Sequence, residues 1–171
     1  QTTFYKTFQG ASDFNSSEVA NWDTSSLTSL NYSFGYATDF NQDISGWNVN
    51  DVTTFANLFF QCPAFNADLS GWNTTGVTNM SGTFKNCAAF NADIGGWDVS
   101  DVTNMKDMLY GTDAFNHDIS DWDTGEVTTM EGMFDESHGF NNGGVALDWS
   151  DTAKVTTMKK MFRDTTLFNQ A

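Results

Sequence analysis

The chain repeats itself every 25 residues, and that period limits its fold more than any other feature. The pair Phe-Asn recurs at Phe14-Asn15, Phe40-Asn41, Phe65-Asn66, Phe90-Asn91, Phe115-Asn116, Phe140-Asn141 and Phe168-Asn169, and tryptophans follow at Trp22, Trp47, Trp72, Trp97, Trp122 and Trp149. A fixed period of this size is the signature of a stack in which each repeat is one coil that touches chiefly its neighbours. One repeat buries too few apolar side chains to offset the entropy of ordering it, so the coils are expected to fold only as a stack, around a long thin core. Residues 1–171 read as a single repeat domain, either whole or a segment of a longer chain.

The most regular coil, Phe90 to Ala114, changes its apolar period halfway along. Ile94, Trp97 and Val99 suggest an extended segment, spaced as in leucine-rich repeats. Val102, Met105, Met108 and Leu109 recur at three and four residues, which is helical spacing. The expected fold is an α/β leucine-rich-repeat-like solenoid of six to seven coils, each a short strand followed by a short helix, with an all-β solenoid as the alternative. Thr28, Thr53, Thr78, Thr103, Thr128 and Thr156 stand where such helices would start and read as N-caps, and Thr128 with Glu131 fits a capping box. The helix of the template coil would run from Asn104 to Tyr110 and stop before Gly111. The Phe and Trp columns are expected to stack as core ladders. The asparagine after each phenylalanine should bond the turn backbones of neighbouring coils.

The first coil carries one extra residue between Phe14 and Trp22, and the sixth carries three, so Asn141-Asn142-Gly143-Gly144 is expected to bulge from the stack. Gln1 aligns with the valine before the threonine column, and Ala171 falls three residues after Phe168. With no capping repeat visible, either the coils continue in further residues or one subunit's end docks on the next to make a fibre. A first residue other than Met suggests a removed leader or a window cut from a longer protein.

Acidic residues outnumber basic ones by 22 to 7, a net charge of -15. Such a surface repels nucleic acid and anionic lipid and favours cations or basic partners, unless the acids serve only to keep an aromatic rod soluble. No apolar run is long enough to span a membrane.

The phrases Phe40-Asn41-Gln42-Asp43-Ile44-Ser45-Gly46-Trp47-Asn48-Val49 and Val102-Thr103-Asn104-Met105, repeated along nearly the whole chain, resemble the BspA-type leucine-rich-repeat surface proteins. The resemblance implies a secreted or cell-surface protein involved in attachment or surface structure, and it supplies no catalytic residues. Leu27, Leu30 and the insertion near Gly143 depart from the pattern.

Several columns carry candidate chemistry. Cys62 and Cys87 lie 25 residues apart, in one column of adjacent coils. They are expected to form a disulfide between rungs, with two buried thiols as the alternative. Asp43, Asp68, Asp93 and Asp118 make a carboxylate column, with Glu18 at the corresponding place in the first coil. Their oxygens would either cap turns or hold calcium between coils. Asp23, Asn48, Asn73, Asp98 and Asp123 follow the tryptophans and should project outward, as a ligand face for sugars or a protein or as a solvated face. Asn15, Asn31, Asn73 and Asn79 begin Asn-x-Ser/Thr sequons, glycan acceptors in a eukaryotic secreted protein. His117 and His138 lie in different coils with no nucleophile facing them, so no catalysis is expected.

The function expected is an extracellular or cell-surface structural or adhesive protein, assembling end to end or contacting other surface proteins and glycans. A glycan- or protein-binding module using the strand face is the alternative. Ice binding by the threonine column is a third reading, set lower because those threonines are assigned to helix caps.

Overall fold

Backbone hydrogen bonds between repeats, not within them, organise the molecule. In the computed structural model, which describes residues 2–169, the threonine column registers the stack. The N–H of Thr53 donates to Thr28 O, Thr78 to Thr53, Thr103 to Thr78, Thr128 to Thr103 and Thr156 to Thr128, at 2.8–3.2 Å. Counted from this column, the layers are 2–27, 28–52, 53–77, 78–102, 103–127, 128–155 and 156–169. The expectations that fall on Gln1 and Ala171 lie outside the described residues.

The α/β solenoid, strand plus helix in each coil, is not what these layers contain. Among the described residues the strands are β1 (Thr2–Thr3) and β2 (Leu27–Ser29), paired in parallel. Later layers keep only isolated parallel bridges, Thr54 to Asn79, Asn79 to Asn104, Asn104 to Thr129 and Thr129 to Thr157. The helical segments described are short 3-10 turns at Ser17–Asn21 and Asn142–Gly144. Single bridges do not make an all-β fold either.

The segment expected as a helix shows why. Met105, Asp107, Leu109 and Gly111 send their N–H groups to Thr129, Glu131, Met133 and Asp135 of the next layer, at 2.8–3.0 Å. Met108 and Tyr110, between them, donate back three residues to Met105 and Asp107 at 3.2 and 3.3 Å. Successive tight turns return a side chain to the same side every three or four residues, as a helix does. The apolar spacing alone therefore could not separate the two.

Two residues in each such segment take positive φ, four apart: Lys6 and Gly10, Tyr32 and Tyr36, Asn57 and Gln61, Gly82 and Asn86, Asp107 and Gly111, Gly132 and Glu136, Lys160 and Asp164. A left-handed residue every fourth position is incompatible with an α-helix and reverses the peptide so that alternate N–H groups point along the stack. Gly82, Gly111 and Gly132 among them also accept side chains from the layer before. A Cβ on Gly111 would sit 2.6 Å from Asn86 Oδ1.

The threonine column bonds between layers instead of capping helices. Thr78, Thr103, Thr128 and Thr156 use their hydroxyls to donate to the preceding layer's threonine carbonyl at 2.9–3.3 Å. Turn capping falls to the next position, where Thr54, Asn79, Asn104, Thr129 and Thr157 accept the N–H two residues on. Glu131 makes no capping box with Thr128; its carboxylate meets Lys106 at 3.1 Å.

The aromatic columns stack as the sequence pattern implies. Phe14, Phe40, Phe65, Phe90, Phe115, Phe140 and Phe168 stand 5.8–6.2 Å apart, nearly parallel. A second column through Phe34, Phe59 and Phe84 packs against them, with Phe84 at 3.8 Å from Phe90. Each tryptophan from Trp47 onward donates its indole N–H to a carbonyl one layer back: Val19, Ile44, Leu69, Ile94 and Ile119. The asparagine ladder also forms, with each Oδ1 accepting the N–H of the next layer's asparagine from Asn15 to Asn169. Asn142, fully buried at the insertion, holds the bulge by accepting from Ile119 N–H and donating to Val145 O and Ala146 O.

Phe90→Ala is expected to lower stability by about 3–5 kcal/mol through a mid-stack cavity. Gly111→Ala should cost more than about 1 kcal/mol through its positive φ. Equilibrium urea unfolding checks both, and an unchanged Gly111→Ala midpoint would contradict the left-handed turn.

Candidate functional site

The carboxylate column is occupied by its own turns. Asp43, Asp68, Asp93 and Asp118 each accept the backbone N–H two residues on, from Ser45, Ser70, Gly95 and Ser120, at 2.9–3.0 Å. The hydroxyl of Ser45 and then its N–H hold Asp43 below the usual carboxylate range, and Ser120 does the same for Asp118. For Asp68 the N–H of Ser70 is the larger cause, and the neighbouring Asp43 charge pushes the other way. Glu18 lies in the Ser17–Asn21 turn, where its N–H is capped by Ser16 Oγ. Among the described residues no three acidic, histidine or cysteine side chains converge as a metal site.

The outward column has the same local job. Asp23, Asn48, Asn73, Asp98 and Asp123 are exposed, and each Oδ1 accepts the N–H two residues on, at 3.0–3.2 Å. Serine hydroxyls at Ser25 and Ser100 hold Asp23 and Asp98 below the ordinary range. Because lowered carboxylate values favour the folded ionised state, their contribution is present above the ordinary carboxylate range and is lost as pH falls through the lowered values.

The two cysteines are separate buried thiols, not a disulfide. Cys62 Sγ donates to Phe34 O and Cys87 Sγ to Phe59 O, each at 2.9 Å and each one layer back. The column explains this placement. In later layers Ser137 and Thr165 stand there and direct hydroxyls to the preceding layer's carbonyls, of Leu109 and Phe134. A disulfide would consume both thiol donors, whereas parallel thiols repeat the column's hydrogen bond. Burial pushes the Cys62 thiol up to about 12 and Cys87 well above its ordinary value.

The four sequons sit in three settings. Asn15 and Asn73 are exposed, with Asn15 Oδ1 engaged by Asn41 N–H and Gln42 Nε2. Asn79 is half-buried and caps the turn at Ser81. Asn31 Oδ1 is enclosed without a hydrogen-bond partner. His117 Nε2 meets Asn91 O at 2.8 Å, and His138 Nδ1 meets Asp113 Oδ1 at 2.6 Å, in different layers. The Asp113 carboxylate raises the His138 value.

The surface that sequence reasoning passed over is the turn face, residues 4–10, 30–36, 55–61, 80–86, 105–111, 130–136 and 158–164. It carries six of the seven basic side chains, all four tyrosines and only five of the 22 acids. The periodicity was visible in the sequence, but a helix assignment scattered these positions around a cylinder. Turns instead line them up in columns. From Lys85 onward the face is laced by charge: Lys85 Nζ meets Asp107 Oδ2 at 2.8 Å and lies 4.5 Å from the Tyr110 ring. Arg163 reaches Asp135 at 2.7 Å and Glu136 at 3.1 Å. A hydrogen bond to Glu136 pushes the Tyr110 phenol up to about 12.

Two overlapping stretches of the chain, 2–109 and 79–171, match the family described as Mycoplasma protein of unknown function, DUF285. The chain belongs to that family. The two matches overlap at residues 79–109, within the run of repeated layers. No curated protein matches the DUF285 chain. No solved structure matches it. Among the described residues no helix is long and apolar enough to cross a membrane.

Native protein is expected to show no thiol reactive toward a membrane-impermeant disulfide reagent, and two after denaturation. Thiol values raised on folding favour the folded state below the unfolded cysteine range, and that contribution is lost as pH rises above it. Stability should therefore fall above about pH 9, less so in the Cys62→Ser, Cys87→Thr variant. An unreduced, denatured chain lighter by two hydrogens in intact mass, with no thiol left to titrate, would reverse this assignment.

Proposed function

We propose that this DUF285 chain is an extracellular or cell-surface structural and adhesive repeat protein, akin to the BspA-type surface proteins, with no catalytic role, whose stack extends end to end. The observation that supports the reading is the directionality of the bonds between layers. In the first layer Lys6, Phe8 and Gly10 donate N–H groups to Asn31, Ser33 and Gly35, and the corresponding trio of each layer repeats this up to Gly132, Phe134 and Glu136. Lys160, Phe162 and Asp164 hold the same positions in the last described layer and donate to no other described group. Tyr5, Thr7 and Gln9 hold the matching acceptor positions in the first layer.

Apolar surface accompanies both sets. Leu147, Trp149, Met158, Met161, Phe162 and Phe168 line a cavity of about 300 Å³ at one end. Phe4, Phe8, Phe14 and Trp22 are only partly buried at the other. A further layer of this same repeat, whether from the same chain or from a second copy, would continue the bonds and the aromatic columns together. The alternative reading, a binding module using Asp23, Asn48, Asn73, Asp98 and Asp123, is weaker because each of those oxygens already serves a turn.

Purified chain is expected to form linear, concentration-dependent assemblies by light scattering and electron microscopy. Met158→Glu with Leu167→Glu, at exposed positions, should shorten them without moving the unfolding midpoint. Particles of one chain at every concentration would count against the reading.

A further inference from the structure

The geometry points to a binding site for a neutral glycan on the turn face, with the rings of Tyr5, Tyr32, Tyr36 and Phe60 in the first three layers as stacking platforms and a polar rim that runs into the fourth and fifth. This goes beyond the end-to-end reading by naming a partner class and a different surface.

Charge is the first support. In a chain of net charge -15, the turn segments 4–10, 30–36 and 55–61 contain no carboxylate and one cation, Lys6. What they offer instead is aromatic rings and the amides of Gln9, Asn31, Asn57 and Gln61. An anionic polymer is repelled by the field of the whole molecule, and a cationic one is drawn to the acidic remainder. An uncharged, hydroxyl-rich chain fits this patch best.

Ring placement is the second. Unlike the parallel core phenylalanines, these rings lie on the outside, with Tyr5 57% and Tyr36 45% exposed. Tyr36 meets Phe60 edge to face at 5.0 Å and Tyr32 meets it at 6.2 Å. Lys6 Nζ lies 5.3 Å from the Tyr5 centroid and 5.6 Å from that of Tyr32, tying the two rings together. A cleft of about 280 Å³ continues from them, lined by Tyr32, Asn57, Phe60, Ser81, Lys85 and Asp107 among others. A pyranose ring has an apolar C–H face and a rim of hydroxyls. The first can rest on an aromatic face, while the second reaches the Asn57 amide, the Ser81 hydroxyl and the Lys85–Asp107 pair.

Backbone strain is the third. Tyr32 and Tyr36 both adopt left-handed φ, 57° and 64°, where a bulky side chain is disfavoured. The next two layers fill the same two columns with Asn57 and Gln61, then Gly82 and Asn86. The turn itself therefore has no need of tyrosine, and the ring is held at an energetic cost at both positions.

Affinity gel electrophoresis of the full chain in mixed-linkage β-glucan, mannan and galactan, with alginate as the charged control, tests the site. Tyr32→Asn with Tyr36→Asn is the informative variant, since asparagine suits the left-handed turn and occupies those columns at Asn57, one layer on, and Asn86, two layers on. Retardation by at least one neutral polysaccharide and not by alginate is expected, weakened about tenfold in the double variant with an unchanged unfolding midpoint. Asp98→Ala with Asp123→Ala should leave it unchanged. Retardation by none of the neutral polymers, or retardation indifferent to the tyrosines, would overturn the site. Light scattering on the same samples separates that failure from a failure of assembly.

Discussion

The structure depends on a division of labour among backbone N–H groups. In each turn segment alternate groups close three-residue turns within the layer, and the rest cross to the carbonyls of the next layer. A residue so arranged cannot continue a helix or a long strand, and the left-handed pairs from Lys6 and Gly10 to Lys160 and Asp164 are the conformational cost of the arrangement. The gain is that every layer satisfies its neighbour's backbone. Stability is then carried by nearest-neighbour interfaces, as in other quasi-one-dimensional proteins.

Translation by one layer turns each side-chain position into a ladder, and each ladder solves one local problem. The Phe-Asn pairs stack rings inward and carry an amide-to-backbone bond along the outside. The tryptophans fill the core and still place the indole N–H on a carbonyl one layer back, so burying them leaves no donor unpaired. Cys62 and Cys87 belong to a ladder of small hydrogen donors that later becomes Ser137 and Thr165. Read this way, their reactivity is incidental and their size and weak donor character are what the column requires.

The repeat leaves chemistry to the surface columns, where packing does not dictate the residue. There the chain separates its charge, with most cations and every tyrosine on the turn face and most carboxylates on the turns around the remainder. Acidic side chains that looked like metal ligands or a ligand face turn out to be committed to N–H groups two residues on, as at Asp68 and Asp98. The surface positions free of such duties are the ones on which function can be written.

Much was legible in the chain alone. A strict period with Phe, Asn and Trp at fixed offsets determined a stack, its register, its core columns and the asparagine ladder, because a translational repeat forces identical residues into contact whatever the local conformation. Local conformation itself was decided by tertiary structure. Val102, Met105, Met108 and Leu109 carry a spacing that helices and chained tight turns share, and only the neighbouring layer, by accepting the N–H groups of Asp107 and Gly111, selects the turns. The same contact moved capping from Thr128 to Thr129, kept the thiols parallel rather than joined, and aligned Tyr32, Tyr36 and Phe60 on one face. Periodicity records which residues meet; the direction in which each backbone donor points is set by the partner layer that receives it.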